Sequence, residues 1–394
     1  MDLHDSPEEA QFRADARAFL DSLNRPELPD YGDDDLDEDS FLAPWRSWQR
    51  MLFDGGWGAI TWPAEYGGRA RGPIEQIIYN QELSRIGAGE SLFLVGLAMA
   101  GPTIIAHGTP AQKQRHLEKI LAGQEIWCQL FSEPGAGSDL AAVATRAERD
   151  GDSWRISGQK TWCSGGQYSD WGILLARTDP TVPKHAGITY FLLDMKSDGV
   201  TTAPLRQMSG GEHFCEVFLN EVRVPDHCRL DEEGAGWKVA NTTLVNERIA
   251  MGGLERFSWS ALVDHARENA GAIDDLVRDD LGRLYGWMKA LELLNARVIT
   301  KLGRGQMPAA ESSVMKMALA RVLTKGSELG LRLQGPGAMA RRGFWQNQFL
   351  IAPAFHIAGG TDEIQKNICA ERVLGMPAEP RTDRDVAFQD LPRS

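Results

Sequence analysis

Ser132-Glu133-Pro134-Gly135-Ala136-Gly137-Ser138-Asp139 is the stretch from which the fold is read. It follows an apolar run, Ile126 to Phe131, that reads as a strand. Pro134 and the two glycines force an irregular turn, and Ser132, Ser138 and Asp139 set hydrogen-bonding groups around it. A turn of this kind presents backbone N–H groups to a ligand. Further on, Trp162-Cys163-Ser164-Gly165-Gly166 forms a second strand-like piece, with one aromatic plane, one hydroxyl and a glycine pair. Either piece alone reads as an ordinary β-turn. A tryptophan there, one of 12 in the chain, reads alone as a core residue.

Composition narrows the class. With 394 residues the chain is long enough for two or three domains. A net charge of -13 argues against a nucleic-acid binder, which needs a basic stripe for phosphates. No apolar run is long enough to span a bilayer, so no membrane partner is expected. Met1-Asp2-Leu3-His4-Asp5 lacks the basic and apolar regions of a signal peptide, and a cytoplasmic location is expected. Cys128, Cys163, Cys215, Cys228 and Cys369 are scattered without CxxC spacing, which points to free thiols rather than structural zinc. The 8 histidines show neither HxxxH nor HxH spacing, so no metal site is expected.

Around the turn, the texture changes twice. Ser6-Pro7-Glu8-Glu9 has the order of a helix start, with the helix running to about Asn24. Pro26 to Asp39 reads as an exposed acidic loop, and Phe41 to Phe53, Ile74 to Ile86, Ala98 to His107 and Pro110 to Leu121 as helices. Trp62-Pro63-Ala64-Glu65-Tyr66-Gly67-Gly68 reads as a compact turn between them. From Ile126 the segments are short, alternating and rich in β-formers, punctuated by Gly, Asp and Pro, as in a small β-barrel or sandwich. From about Gly234 the texture is helical again, with long patterns over Trp237 to Arg267, Asp274 to Leu302 and Glu311 to Leu333. The expected fold is therefore α+β, mostly α. Its expected domains are an N-terminal helical domain (1–124), a middle β-barrel or sandwich domain (125–233) and a C-terminal four-helix bundle (234–394).

The two quoted pieces and this α–β–α order resemble the acyl-CoA dehydrogenase family over nearly the whole chain, most of all its bacterial lipid- and sterol-degrading members. The resemblance implies FAD-dependent α,β-dehydrogenation of an acyl-CoA thioester. That chemistry needs a bound flavin, donors on the thioester carbonyl, and a carboxylate for the α-proton. Carried over residue by residue, Ser132 falls where a hydroxyl bonds the pyrimidine side of the isoalloxazine, and Phe131 supplies a backbone group beside it. Trp162 falls where an aromatic packs on the ring, and Ser164 where a hydroxyl reaches the N5 region. Gly137 belongs to the same turn. Ser138 lies at the mouth, near flavin phosphate and acyl-CoA. Arg248 joins Ser138 as a substrate-binding residue.

The family completes its FAD site from a neighbouring subunit, and there the match departs. Arg267 and Gly271 match an Arg-x-x-Phe-Gly motif, with Ala270 in place of the aromatic. Leu331-Arg332-Leu333-Gln334-Gly335-Pro336-Gly337 stands for a Gln-x-x-Gly-Gly-x-Gly loop. Its first Gln is lost, while Gln334, Gly335 and Gly337 keep the character of a phosphate-binding loop. Leu350-Ile351 replaces an Arg-Asp pair. Thr361 and Glu363 match positions at the ribose or adenine end. These features imply a homodimer or homotetramer, or an α2β2 hetero-oligomer with a related chain, passing electrons to electron-transfer flavoprotein.

The usual catalytic glutamate position is Gly359, which keeps a backbone N–H for the thioester carbonyl but offers no base. Isovaleryl- and long-chain-type members carry the glutamate on a bundle helix, and Glu247 falls at that position amid Leu244, Val245, Ile249 and Met251. Since the family uses either position, Gly359→Glu is expected to restore some activity to a Glu247→Gln chain. Glu133 and Asp139 belong to the turn and read as acceptors for backbone N–H groups, and Asp362 reads as the cap of a helix starting near Glu363. Two other functions stay open on the same fold: a flavin monooxygenase or oxidase, and a non-catalytic subunit that donates half a FAD site. Glu247 argues against the first, and the intact turn with Trp162 and Ser164 against the second.

Overall fold

Ser6 starts the first helix with a capping box: its Oγ accepts from the Glu9 N–H (3.2 Å), and its own N–H donates to Glu9 Oε2 (2.7 Å). In the computed structural model the described residues are 5–29, 36–88, 91–250, 257–304, 306, 311–339, 343–380 and 383–392, with backbone alone at 248–250 and 302–303. The helices of the first third are α1 (Pro7–Ser22), α2 (Glu38–Asp54), α3 (Pro73–Arg85), α4 (Gly101–His107) and α5 (Pro110–Leu121). Asp37 caps α2 through Ser40 N–H (2.7 Å), and Thr109 with Gln112 forms a capping box on α5. The helix expected from Ala98 is wider at its start: a π-turn over Gly96–Ala100 leads into α4. Trp62 Nε1 donates to Leu97 O in that turn (2.9 Å), which ties the Trp62–Gly68 loop to it.

Eight strands follow: β1 (Trp127–Leu130), β2 (Arg146–Asp150), β3 (Ser153–Ser164), β4 (Trp171–Arg177), β5 (Ile188–Asp194), β6 (Val200–Leu205), β7 (Phe214–Pro225) and β8 (Arg229–Leu230). They form one sheet in the order β6-β7-β3-β2-β4-β5-β8, with β1 pairing β4 in parallel. Alternation along β4 and β5 sends side chains to two cores. Ile173, Leu175, Ile188, Tyr190 and Leu192 join α4, α5 and the following helix, α6 (Gly236–Ala250). Leu174, Ala176, Phe191 and Leu193 join Trp154, Ile156, Val217 and Val222 of β3 and β7. The sheet thus folds over a core of its own, as a sandwich does, while its other face carries helices. Each fully buried aliphatic side chain there stabilises the fold by about 2 kcal/mol.

The pattern expected as one helix from Trp237 to Arg267 is two: α6 and α7 (Trp259–Glu268). Ser258 has an extended backbone and caps α7 by accepting from Ala261 N–H (3.2 Å). The chain continues with α8 (Asp275–Gly303), α9 (Glu311–Gln334), α10 (Phe344–Ile351) and α11 (Asp362–Arg372). The described residues fall into two compact units, those within 13–252 and 380–394, and those within 1–12 and 253–379. The first holds the sheet and α6. The second has its own core of Phe257, Leu262, Val277, Leu284, Val322, Leu323 and Trp345. Gly330 lets α9 approach that core: a Cβ there would stand 2.3 Å from the Trp345 ring.

Candidate functional site

The turn after β1 closes on itself. Glu133 and Ala136 exchange backbone hydrogen bonds (3.1 and 3.0 Å), with Pro134 and Gly135 at the exposed tip. Around Gly135 and Gly137 there is nothing within 4 Å of where a Cβ would lie, so the turn borders open space. Gly137 and Ser138 are exposed and Ser132 half-buried, whereas Glu133 points inward. Its carboxylate accepts from the backbone N–H groups of Ala144 (2.7 Å) and Thr145 (3.0 Å), as expected of it. It also accepts from Lys160 Nζ (2.7 Å). Burial opposes the Glu133 charge, but the Lys160 ammonium and these donors hold its carboxyl below the usual range. Asp139 is a correction: its carboxylate meets Lys184 Nζ (2.7 Å) rather than a backbone N–H, because Lys184 stands between it and Asp383.

β3 runs beside this turn. Thr161 N–H donates to Ser132 O (2.9 Å), and Lys160 Nζ donates to Phe131 O (3.1 Å). Between Lys160 and Cys163 the pairing of β3 with β7 shifts register. At that bulge Trp162 takes a φ of +60°, a left-handed backbone that costs a non-glycine residue roughly 1–2 kcal/mol. Its side chain is 60% exposed, with the Phe214 ring edge-on at 5.8 Å. The core reading of Trp162 is therefore excluded. Ser164, also exposed, pairs with Phe214 at the end of β3. Beyond it, Gln167 has a buried Oε1 without a hydrogen-bond partner. One exposed aromatic face, two exposed hydroxyls and a turn without side chains at its glycines suit a flat aromatic ligand with a polar tail. On these observations a flavin nucleotide fits.

α6 carries Glu247 and is docked on the same sheet. Thr243 lies one turn earlier, on the same face. Its buried hydroxyl meets Thr103 Oγ1 (2.9 Å) and Tyr190 OH (3.0 Å), joining α6 to α4 and β5. Thr242 meets His107 Nε2 (2.9 Å), while His107 Nδ1 faces Asp231 (3.0 Å). Glu247 is half-buried; Leu244 packs against the core and Val245 is exposed. Met251 and the side chains of Arg248 and Ile249 lie outside the described residues.

The remaining sequence candidates sit at three separate helix ends of the second unit. Arg267, in the last turn of α7, is exposed and paired with Asp264 (2.8 Å). Gln334 ends α9, and its Oε1 accepts from Gln346 Nε2 (2.6 Å). Gly335, with a φ of +59°, opens an exposed 3-10 turn that includes Gly337 and leads towards α10. Thr361 caps α11 through Ile364 N–H (3.2 Å), and Glu363 is exposed in its first turn. Asp362 is thus not the cap; its carboxylate bridges His356 Nδ1 (2.7 Å) and Lys316 Nζ (2.9 Å). Gly359 has a φ of +65°, and its carbonyl accepts from Gln365 Nε2 (2.9 Å).

The sequence reading missed Lys160 and Arg177. Both carried a signal: a cation at a position where strand alternation calls for an inward residue. Arg177 donates to the carbonyls of Ala141 (2.7 Å), Val143 (2.9 Å) and Lys184 (3.0 Å), and so fixes the chain just after the turn. The five cysteines are free, and burial pushes the Cys128 thiol up to about 12, which makes it a poor nucleophile. Among the described residues no group of His, Cys, Asp and Glu could hold a metal ion, and no helix is long and apolar enough to cross a membrane.

Known proteins share this architecture. The family model for the acyl-CoA dehydrogenase N-terminal domain matches residues 6–124, that for the middle domain 128–222, and that for the C-terminal domain 234–374. Acyl-CoA dehydrogenase FadE34 of Mycobacterium tuberculosis is 41% identical over 341 residues, covering 84% of this chain and 46% of that protein, so the chain spans about half its length. Acyl-CoA dehydrogenase IpdE1 of the same organism is 38% identical over 344 residues, covering 85% of this chain and 89% of that protein. The solved Tcur3481-Tcur3483 steroid ACAD superposes with a TM-score of 0.84 at 31% identity, over 96% of this chain and 100% of that one. With its three regions matched in order, and with 89% of IpdE1 covered, the chain belongs to the acyl-CoA dehydrogenase family.

Proposed function

We propose that this chain binds FAD and introduces an α,β double bond into an acyl-CoA thioester. The observation that carries the reading is Trp162, an aromatic plane held out of the core on a left-handed backbone beside an open, glycine-bearing turn. The left-handed strain offsets the edge contact with Phe214, so Trp162 adds little net stability to the free fold, and such strain collects at ligand sites. Members of the family are flavoproteins. Trp162 packs on the ring, Ser132 and Ser164 offer hydroxyls to its polar edge, and Ser138 lies towards phosphate and acyl-CoA. Bound FAD supplies the acceptor for the hydride that leaves the β-carbon. The Glu247 carboxylate takes the α-proton. Its helix is held to β5 and α4 by the buried Thr103–Thr243–Tyr190 hydroxyls, one turn before Glu247, and a helix anchored in this way suits a residue that must take a proton at a fixed point.

The substrate proposed is a bulky, sterol-derived acyl-CoA, a choice supported by the likeness to a steroid ACAD at 31% identity. Electron-transfer flavoprotein is the proposed acceptor. The test is anaerobic: load the chain with FAD, add a panel of straight, branched and steroid-side-chain CoA esters, and follow bleaching of the flavin band. Bleaching is expected, fastest with the steroid esters. Flavin that no thioester bleaches overturns the dehydrogenase reading, and a chain that takes up no flavin overturns the site.

A further inference from the structure

The structure assigns Lys160 and Glu133 a positioning role: the pair sets the Phe131–Ser132 peptide, and with it the strand bulge displaying Trp162, in the orientation that receives flavin. This rests on the flavin reading of the site.

Lys160 is fully buried, at 0% exposure, and Glu133 nearly so. Removing both ions from water costs several kcal/mol each, and apolar residues of similar size often serve a core equally well. Stability therefore does not explain a lysine at an inward position of β3. An apolar side chain there could not donate a hydrogen bond to the Phe131 carbonyl, which Lys160 Nζ does at 3.1 Å. A trans peptide is planar, with its C=O and N–H pointing opposite ways. Drawing the Phe131 carbonyl inward turns the Ser132 N–H outward, beside the exposed turn. The neighbouring residue completes the hold, since Thr161 N–H donates to Ser132 O at 2.9 Å.

Glu133 fixes the lysine and the chain that follows the turn together. It accepts from Nζ at 2.7 Å and from the Ala144 and Thr145 N–H groups. Three consecutive residues of one strand thus act on one site. Lys160 orients the first peptide of the turn, Thr161 latches it, and Trp162 turns outward at the register shift between Lys160 and Cys163. Both side chains are buried and hydrogen-bonded within the fold, which makes them positioning residues rather than catalytic ones.

The decisive variant is the double change Lys160→Met/Glu133→Gln, which removes both charges and leaves neither buried alone. Apo wild type and variant are compared by thermal melting, FAD titration and the visible spectrum of the bound flavin. The variant is expected to melt near wild type, to bind FAD at least about tenfold more weakly, and to shift the flavin band. Wild-type affinity and spectrum in the variant overturn the role. Should the variant fail to fold, amide hydrogen exchange on the wild type decides. The Ser132 N–H is expected to exchange freely in the apo chain and to be protected by FAD, with Thr161 N–H protected in both. Equal protection of Ser132 with and without FAD overturns the proposal. A wild-type chain that takes up no FAD overturns the flavin reading and this inference together; FAD uptake by the wild type with an unaffected variant overturns the positioning role alone.

Discussion

At Trp162 backbone and side chain both stand against their usual preferences, which makes a two-sided prediction possible. Truncating a buried tryptophan costs about 3–5 kcal/mol. That figure does not apply to a side chain that is 60% exposed. Trp162→Gly relieves roughly 1–2 kcal/mol of left-handed strain and loses an edge contact with Phe214 worth about 1 kcal/mol. The apo chain is expected to keep its stability within about 1 kcal/mol while FAD affinity falls sharply. Thermal melts of the apo form and FAD titration check both halves; a large loss of apo stability would return Trp162 to a core role. Glu247 gives the chemical counterpart. Glu247→Gln is expected to keep FAD and still bind acyl-CoA, with flavin reduction slowed roughly 10²–10⁴-fold or more in stopped flow. Near-wild-type reduction would remove Glu247 as the base. The partial rescue expected of Gly359→Glu carries a cost, because a side chain at a φ of +65° is under left-handed strain.

Between elements, α1 and α3 are joined by a buried carboxylate with three cationic partners. Glu82 Oε1 and Oε2 accept from Arg17 (2.9 Å each), Oε2 from Arg85 (2.8 Å) and Oε1 from Arg13 (3.4 Å). Hydrogen bonds from Arg17 first, then from Arg85 and Arg13, outweigh burial and bring the Glu82 carboxyl down to about 2 from an ordinary 4.5. A group with a depressed folded pKa stabilises the fold above its unfolded pKa and loses that contribution as the pH falls towards the folded one. Glu82 should therefore contribute about 3 kcal/mol at neutral pH, lost between roughly pH 4.5 and 2. Glu82→Gln is expected to lower the urea midpoint at pH 7, with the gap to wild type closing as acid is added. A gap that does not change with pH would show that Glu82 acts by shape rather than charge.

At the scale of the whole molecule, the second unit leaves large apolar side chains in the open, among them Met339 (95% exposed), Leu374 and Ile357. Large exposed apolar side chains mark surfaces that another chain covers, and the prediction is an oligomer, either of identical chains or with a related one. Light scattering of the FAD-loaded chain is expected to report at least a dimer, and a stoichiometric monomer that holds FAD would contradict it. A chain that holds FAD but reaches its full assembly only when a related chain is added would select the hetero-oligomer.

Local chemistry made most of the elements legible. Thr109, Pro110 and Gln112 mark the start of α5 because caps satisfy orphan N–H groups within one turn of sequence. The change from helical spacing to alternation placed the sheet, and Pro134 with its glycines placed the turn. Other features depend on residues distant in sequence. Strict alternation from Trp154 through Ile156 and Lys160 sends Trp162 inward, and only the register shift against β7 turns it out and buries Cys163. A bulge is a relation between two strands, and β7 begins 50 positions after Ser164. The parallel pairing of β1 with β4 places the turn, and the Lys160–Glu133 pair exists only once β3 lies beside it. The residue types of the candidate site were therefore determined by the sequence itself. Their exposure, strain and partners were decided by the tertiary structure, because each depends on a strand that the local sequence cannot name.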